Sequence, residues 1–210
     1  ADPVLHCDAF DLTYAWNTYD ILRPLFRGEL KPADVIASLR AETWRYPNGA
    51  LRLRFSSNHD KDMYDAPAAV WYGPEAARAA AVLTSLLPGV PLVYTGQEVG
   101  NTTRLDMFER LPIDTVRDVH GFGALYRTLH NLRREHLSIR RGEMIALRLD
   151  DEAPVFAFAR RLGSDVVAVV VNCSNVERRV SVLLPTAMDG EMLLARGTAK
   201  VRAAKADIQL

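Results

Sequence analysis

Leu51-Arg-Leu-Arg-Phe-Ser-Ser-Asn-His-Asp60 is the stretch that decides the fold of this chain. Leu51, Leu53 and Phe55 alternate with Arg52 and Arg54, the period of two that marks a β-strand, and the turn signal Asn48-Gly49 precedes them. The strand runs straight into a polar string ending in Asn58-His59-Asp60. After a polar and aromatic loop, Pro74-Glu75 opens an alanine-rich helix that lasts to Leu87 and is stopped by Pro88-Gly89. Val90 to Tyr94 is then a short, fully apolar run, the pattern of a buried parallel strand. It ends at Thr95-Gly-Gln-Glu98. Strand, helix, strand in this rhythm predicts parallel pairing with helical crossovers.

Upstream, Trp16, Tyr19, Ile21, Leu22, Leu25 and Phe26 recur at helical spacing and Gly28 stops them. Pro32 opens a second helix with Val35, Ile36, Leu39 and Trp44 on one side and Pro47 beyond its end. Val4 to Phe10 is mostly apolar and reads as a first strand. Downstream, Gly121 to Arg134 reads as another amphipathic helix. From about Gly142 the texture changes to short β-rich runs: Ile145–Leu149, Val155–Ala159, Val166–Val171, Val180–Leu184 and Glu191–Leu194. Gly163-Ser164 and Asp189-Gly190 are the expected hairpin turns. Short strands at this spacing predict a small antiparallel β-sandwich. The tail from Gly197 is weakly specified, and the boundary between the two parts is expected near Arg140 to Glu143.

Bulk properties narrow the class. The 210 residues are enough for one medium or two small domains, and 49% hydrophobic content is ordinary for a soluble, cored protein. Lys plus Arg equals Asp plus Glu at 26 each, so no charge excess steers the chain to nucleic acid or to an anionic membrane. No apolar segment approaches the length of a bilayer span. Cys7 and Cys173 stand far apart, each beside residues that read as strand, and two structural thiols are expected rather than a disulfide. The chain opens Ala1-Asp2-Pro3 with no initiator Met and no leader pattern, as a processed product or a piece of a longer protein would.

Ligands gather where strands of α/β sheets and barrels end, so two loops are candidate sites. In the first, Asn58, His59 and Asp60 can turn several polar groups into one pocket. There His59 would donate to a sugar hydroxyl, and the Asp60 carboxylate would accept from two and stabilise positive charge at an anomeric carbon. The same tripeptide also reads as a plain turn whose Asn58 and Asp60 bond nearby backbone. In the second loop Gly96 permits an unusual backbone angle and Glu98 lands just beyond the strand. Alone, Glu98 reads more readily as a hydrogen-bonded structural carboxylate than as a catalyst.

Taken together and in this order, Asn58-His59-Asp60 and Gly89-Val-Pro-Leu-Val-Tyr-Thr-Gly-Gln-Glu98, with Gly100 following, resemble the alpha-amylase family of glycoside hydrolases, family 13. Phe10-Asp-Leu-Thr-Tyr14 is similar to that family's preceding strand-end segment. Arg104-Leu-Asp-Met-Phe108 and Pro112-Ile-Asp114 resemble its closing loop, and the strand-rich end matches its C-terminal β domain. The resemblance implies the C-terminal part of a (β/α)8 TIM barrel, strands six to eight in residues 1–140, followed by a β-sandwich in residues 141–210. It implies retaining cleavage or transfer at α-glucosidic bonds, on an α-glucan or a small α-glucoside.

By the match, Asp60 is the third catalytic acid, His59 and Asn58 help bind the sugar, and Glu98 supports the site. The family's nucleophile and acid/base have no counterpart here; Asp2, Asp8 and Asp11 sit in neither motif. A retaining mechanism needs two carboxyls about 5 Å apart, so the chain alone is expected to be inactive. No cofactor is implied, and the family's structural calcium is usually held by the part not present, so no metal is expected.

About three strands cannot close a barrel. An apolar inner face and two sheet edges are expected to need cover from the missing N-terminal barrel part, from a second copy or from local repacking. Two other readings stand beside this one. The chain is a non-catalytic amylase-like module that binds glucan or scaffolds an assembly, or it is an unrelated hydrolase using Asp60 and Glu98 as its pair.

Overall fold

The computed structural model describes residues 2–106, 108–149, 153–185, 193–194, 198–202 and 205–209. The first part runs α1 (Leu5–Asp8), β1 (Leu12–Tyr14), α2 (Trp16–Phe26), α3 (Pro32–Arg45), β2 (Leu51–Arg54), α4 (His59–Tyr64), α5 (Ala68–Trp71), α6 (Pro74–Leu86) and β3 (Val90–Pro91). A single 3-10 turn, Gln97–Val99, leads to α7 (Phe122–Glu135) and α8 (Leu137–Arg141). The three strands form a parallel sheet in the order β1-β2-β3. Leu12, Thr13 and Tyr14 stand opposite Leu51, Arg52 and Leu53, while Leu53 and Arg54 stand opposite Val90 and Pro91.

The first expected strand, Val4–Phe10, is a single helical turn instead. Asp2 starts it: its carboxylate accepts from the Val4 N–H at 3.0 Å and its carbonyl from the Leu5 N–H at 3.2 Å. Leu5, Cys7 and Ala9 alternate with His6 and Asp8 as in a strand, but all three apolar residues are exposed and none of the helical residues is buried, so no packed face enforces the extended form. The strand follows at Leu12–Tyr14, inside the segment already matched to a strand end.

Sheet register sorts β2 and its neighbours into two faces. Leu12, Tyr14, Leu51, Leu53 and Val90 share one face, and Leu51 is 41% exposed while the others are half-buried. Arg52 and Arg54 point the other way, under the helices, and are buried. The alternation therefore buries its arginines and leaves its leucines partly open. Val90 to Tyr94, expected to be fully buried, is half-buried throughout, and only its first two residues join the ladder. Trp44, expected on the packed side of α3, is 90% exposed; Glu42 takes the buried place and ion-pairs with the two arginines.

The remaining strands are β4 (Glu143–Ala146), β5 (Arg148–Leu149), β6 (Val155–Leu162), β7 (Asp165–Asn172), β8 (Arg179–Leu183), β9 (Thr198–Arg202) and β10 (Lys205–Gln209). They form two antiparallel sheets, β4-β6-β7 and β5-β8-β10-β9. The β6–β7 hairpin turns at Gly163-Ser164 as expected. The tail after Gly197, weakly specified by sequence, supplies β9 and β10. The turn expected at Asp189-Gly190 and the start of the run at Glu191 lie outside the described residues.

β6 is buried on both faces. Val155, Ala157 and Ala159 pack with Leu147, Val180 and Val182 across the two sheets. Phe156 and Phe158 join the helical core of Leu22, Leu25, Leu83, Leu129 and Ile139. One strand thus ties the helical part to the second sheet, and truncating a buried ring there typically costs about 3–5 kcal/mol. Cys7, in α1, is exposed and Cys173 is buried, and both are free thiols. Among the described residues no helix is long and apolar enough to cross a membrane.

Candidate active site

β2 and β3 are parallel, so the loops after Arg54 and after Pro91 leave the sheet from one edge. Phe55 anchors the first loop. It is fully buried in a nest of aromatic rings, stacked on Tyr19 at 5.3 Å and edge-on to Trp16 at 5.1 Å and Tyr14 at 5.5 Å. Such contacts fix the exit angle of the chain at the strand's end.

Beyond Phe55 the residues divide by task. Ser56 Oγ accepts a hydrogen bond from Gln97 Nε2 at 2.8 Å, which joins the first loop to the second. Asn58, 1% exposed, is the N-cap of α4: its Oδ1 accepts from the Lys61 N–H at 2.9 Å, satisfying an orphan helix donor. His59 and Asp60 then open the helix with side chains 64% and 45% exposed, and His59 Nε2 lies 3.4 Å from Asp60 Oδ1. An anionic side chain in the first turn of a helix is favoured by the unpaired N–H groups there.

The second loop is shaped by glycine. At Gly89, φ is +123° and an added Cβ would lie 2.3 Å from the Arg52 carbonyl oxygen, so only glycine lets the chain enter β3 this close to β2. At Gly96, φ is +88° and a Cβ would sit 2.8 Å from Asn101 Cβ. That residue starts the 3-10 turn that carries Gln97 and Glu98. Gln97 is buried and spends both ends of its amide: Oε1 accepts from the Tyr94 N–H at 2.7 Å while Nε2 reaches Ser56 and, at 3.4 Å, the Tyr126 hydroxyl. Glu98 is half-buried, and its charge adds to the burial that pushes the Tyr126 hydroxyl pKa up. Among the described residues no hydrogen bond or ion pair joins Asp60 to Glu98.

The structure therefore brings the two candidate loops together, but through Ser56 and Gln97 rather than through Asp60 and Glu98. It also makes Asn58 the cap that orients His59 and Asp60. Asp62, which sequence reading passed over, is 2% exposed, and its Oδ2 accepts from the Leu105 N–H at 3.1 Å. Burial raises its carboxyl pKa, with that N–H and the nearby Arg104 charge pulling the other way. No sequence signal marked it, because the residues after Asp60 read as a polar and aromatic loop. Asp65 at the end of α4 accepts from the Tyr19 hydroxyl at 2.7 Å and pairs with Lys61 at 3.1 Å, tying α4 to α2. Among the described residues no group of three or more His, Cys, Asp or Glu is placed to hold a metal ion.

No family model matches the sequence. An alpha-amylase named MalA from Haloarcula japonica is 30% identical over 210 aligned residues, covering 92% of this chain and 28% of that protein. Neopullulanase 2 from Thermoactinomyces vulgaris is 26% identical over 185 residues, covering 85% and 31%. Among solved structures, the maltogenic alpha-amylase AmyB of Thermotoga neapolitana superposes with a TM-score of 0.79 at 24% identity, over all of this chain and 50% of that one. The Nostoc punctiforme debranching enzyme does so with 0.78 at 20% identity, over all of this chain and 48% of that one. The chain thus spans under a third of the curated relatives named here and about half of each solved chain. The sequence is thus similar to alpha-amylases and a neopullulanase over most of its length, and its fold is that of alpha-amylase structures over all of it, fitting a C-terminal portion of those proteins.

Proposed function

We propose that Asp60 is the third catalytic carboxylate of an alpha-amylase-family glycosidase or transglycosidase. The enzyme acts on α-glucosidic bonds with retention, and this chain supplies one part of its site. His59 and Asp60 hold hydroxyls of the ring whose bond is broken. Carboxylate charge beside the anomeric carbon favours the oxocarbenium-like transition state, and hydrogen bonds to ring hydroxyls strengthen as the ring flattens. Asn58 orients both by capping α4, and the turn bearing Gln97 and Glu98 buttresses the loop from the next strand.

The observation that carries this reading is the Gln97–Ser56 hydrogen bond. It locks the two motif loops side by side at the strand-exit edge of the sheet and leaves His59 and Asp60 the exposed polar groups of the first.

On this reading residues 1–140 are the last three strand-helix units of an eight-stranded barrel, and residues 141–210 are its C-terminal β-sandwich. The nucleophile and the acid/base come from a segment that also covers the half-open Leu12, Tyr14, Leu53 and Val90 face and the edges at β1 and β3. One acid of three cannot supply the transition-state stabilisation that glycoside hydrolysis demands, so residues 1–210 alone give no turnover.

The test is Asp60→Asn in the complete protein, assayed on a chromogenic α-glucoside, with the anomer of the first product read by NMR. Turnover is expected to fall by about 10³-fold or more, and the wild type to release the α-anomer. Near-normal turnover in the variant overturns the assignment. Glucan binding without turnover by the complete wild type would instead favour a non-catalytic binding module.

A further inference from the structure

Asp60 and Asp62 lie two residues apart in the first turn of α4, yet their surroundings have little in common. Asp60 is 45% exposed at its side chain, whereas Asp62 is 2% exposed overall and hydrogen-bonded. What Asp62 holds is the segment 101–106, which follows the 3-10 turn. Thr102, Thr103, Arg104 and Asp106 of that segment are exposed, and Asn101 and Leu105 are half-buried. An exposed run of this kind has little apolar burial to fix it. Two contacts reach it from α4 and its C-cap: Leu105 N–H to Asp62 Oδ2 at 3.1 Å, and Arg104 Nη2 to the backbone carbonyl of Asp65. Asn101 closes the near end with a local turn, its Oδ1 accepting from the Thr103 N–H at 3.2 Å and its Nδ2 donating to the Thr103 carbonyl at 2.7 Å.

Asp62 also lines a small cleft with Gly96, Gln97, Gly100, Asn101 and Tyr126. Asp62 therefore sits on the first loop's helix, bonds the segment beyond the second loop's turn, and shares a cleft with residues of that turn. Keeping a carboxylate in so buried a place is costly when one backbone N–H is its main compensation. A leucine or methionine would pack there without that cost, but it would not hold Leu105.

We infer that Asp62 is a positioning residue: its buried carboxylate pins segment 101–106 to the helix that carries Asp60 and so fixes the distance between the two walls of the sugar site. This rests on the reading of Asp60 given above and deepens it. Asp62 touches no substrate; it sets where Asp60 stands relative to the second loop. A displacement of about 1 Å at such a site is enough to cost up to 100-fold in rate.

The experiment compares Asp62→Ala and Asp62→Asn in the complete protein, with Asp60→Asn alongside. Asparagine keeps an oxygen that accepts from the Leu105 N–H, and alanine does not. The expected result for Asp62→Ala is a fall in kcat of about tenfold or more with KM changed less than about threefold, and faster hydrogen exchange at the Leu105 amide. Asp62→Asn is expected to stay within about threefold of wild type in both constants and to keep the amide protected. If both variants lose kcat alike, or if Asp62→Ala leaves Leu105 exchange and kcat unchanged, the positioning role is wrong. The Asp60→Asn control separates the two ideas: an active Asp60→Asn overturns the functional reading, whereas an inactive one beside an unaffected Asp62→Ala overturns only this inference.

Discussion

On the helix-facing side of β2, Glu42 closes on Arg52 at 2.9 Å and on Arg54, and all three side chains are no more than 6% exposed. Beyond the last residue of the same strand, His59 and Asp60 keep 64% and 45% of their side chains in solvent. The first group is saturated. Arg52 also donates to the Tyr14 carbonyl at 2.8 Å and to Thr13, and Arg54 to the Pro88 carbonyl at 2.8 Å and to Thr18. Burial lowers the Arg54 pKa, and the Glu42 charge pulls it back up. Charge that builds a fold is spent on partners already in the chain; charge kept for a ligand is left without them. The contrast between these groups a few residues apart can be broken or sharpened by substitution.

The largest expected effect is at Glu42. Glu42→Ala leaves two guanidinium groups buried with no counter-charge, and removing one partner of a buried ion pair costs about 3–5 kcal/mol. The midpoint of urea unfolding should fall accordingly, and a drop under about 1 kcal/mol would mean that water reaches the arginines. Next is Gln97→Ala, which strips partners from the buried Ser56 hydroxyl and the Tyr94 N–H. Orphaning such groups costs about 1–3 kcal/mol, and the same variant should loosen the first loop, read as faster amide exchange at Ser57 and Asn58. Asn58→Ala removes a helix cap and should cost about 1 kcal/mol, with Asn58→Asp recovering most of it.

A pH titration sharpens the comparison within α4. The Asp62 carboxyl has its pKa raised above the ordinary 3.8, chiefly by burial. A carboxyl with a raised folded value binds its proton more tightly folded than unfolded. Its contribution to stability therefore declines as pH climbs from 3.8 through the folded value, and stays reduced above. Asp62→Asn cannot titrate, so its stability relative to wild type should shift in the variant's favour over that window and hold level on either side. Every other carboxylate is common to both proteins and cancels. A flat difference from pH 3 to 7 would show that the Asp62 charge is solvated.

Much of this molecule was legible in the sequence, and the failures share a cause. The helices at Trp16, Pro32, Pro74 and Phe122 were readable because period, proline starts and glycine stops agree. The hairpin at Gly163 was readable from its turn residues. Alternation at Leu51–Arg54 announced a strand with two faces, but no pattern states which face a helix will cover. Here α3 brings Glu42 to the arginine side, and the leucine side stays half open. Val90–Tyr94 failed in the same way: an apolar run predicts burial only where other elements cover it, and here the run stays half-buried. Helical spacing groups Trp44 with Val35, Ile36 and Leu39, yet Glu42, two positions earlier, takes the buried place because Arg52 and Arg54 are its partners. The site was half legible. Asn58, His59 and Asp60 declare themselves as a string, whereas the roles of Gln97 and Asp62 depend on long-range pairs, Ser56 with Gln97 and Asp62 with Leu105, that no local spacing encodes.

The smallest expected change in stability belongs to the substitution on which the proposed function turns. Asp60→Asn keeps the size of the side chain, removes one charge from a half-exposed first-turn position, and breaks only a 3.4 Å contact to His59 that is itself solvent-exposed. Surface changes of this kind stay within about 0.5 kcal/mol, and the part of that owed to the helix terminus is screened by salt. Unfolding midpoints of variant and wild type should therefore coincide at moderate ionic strength. If the variant instead unfolds markedly earlier, Asp60 is a structural carboxylate like Glu42, and the division drawn here between spent and unspent charge fails at its most important residue. If the midpoints coincide while turnover in the complete protein is lost, the carboxylate was held in reserve for something outside the chain.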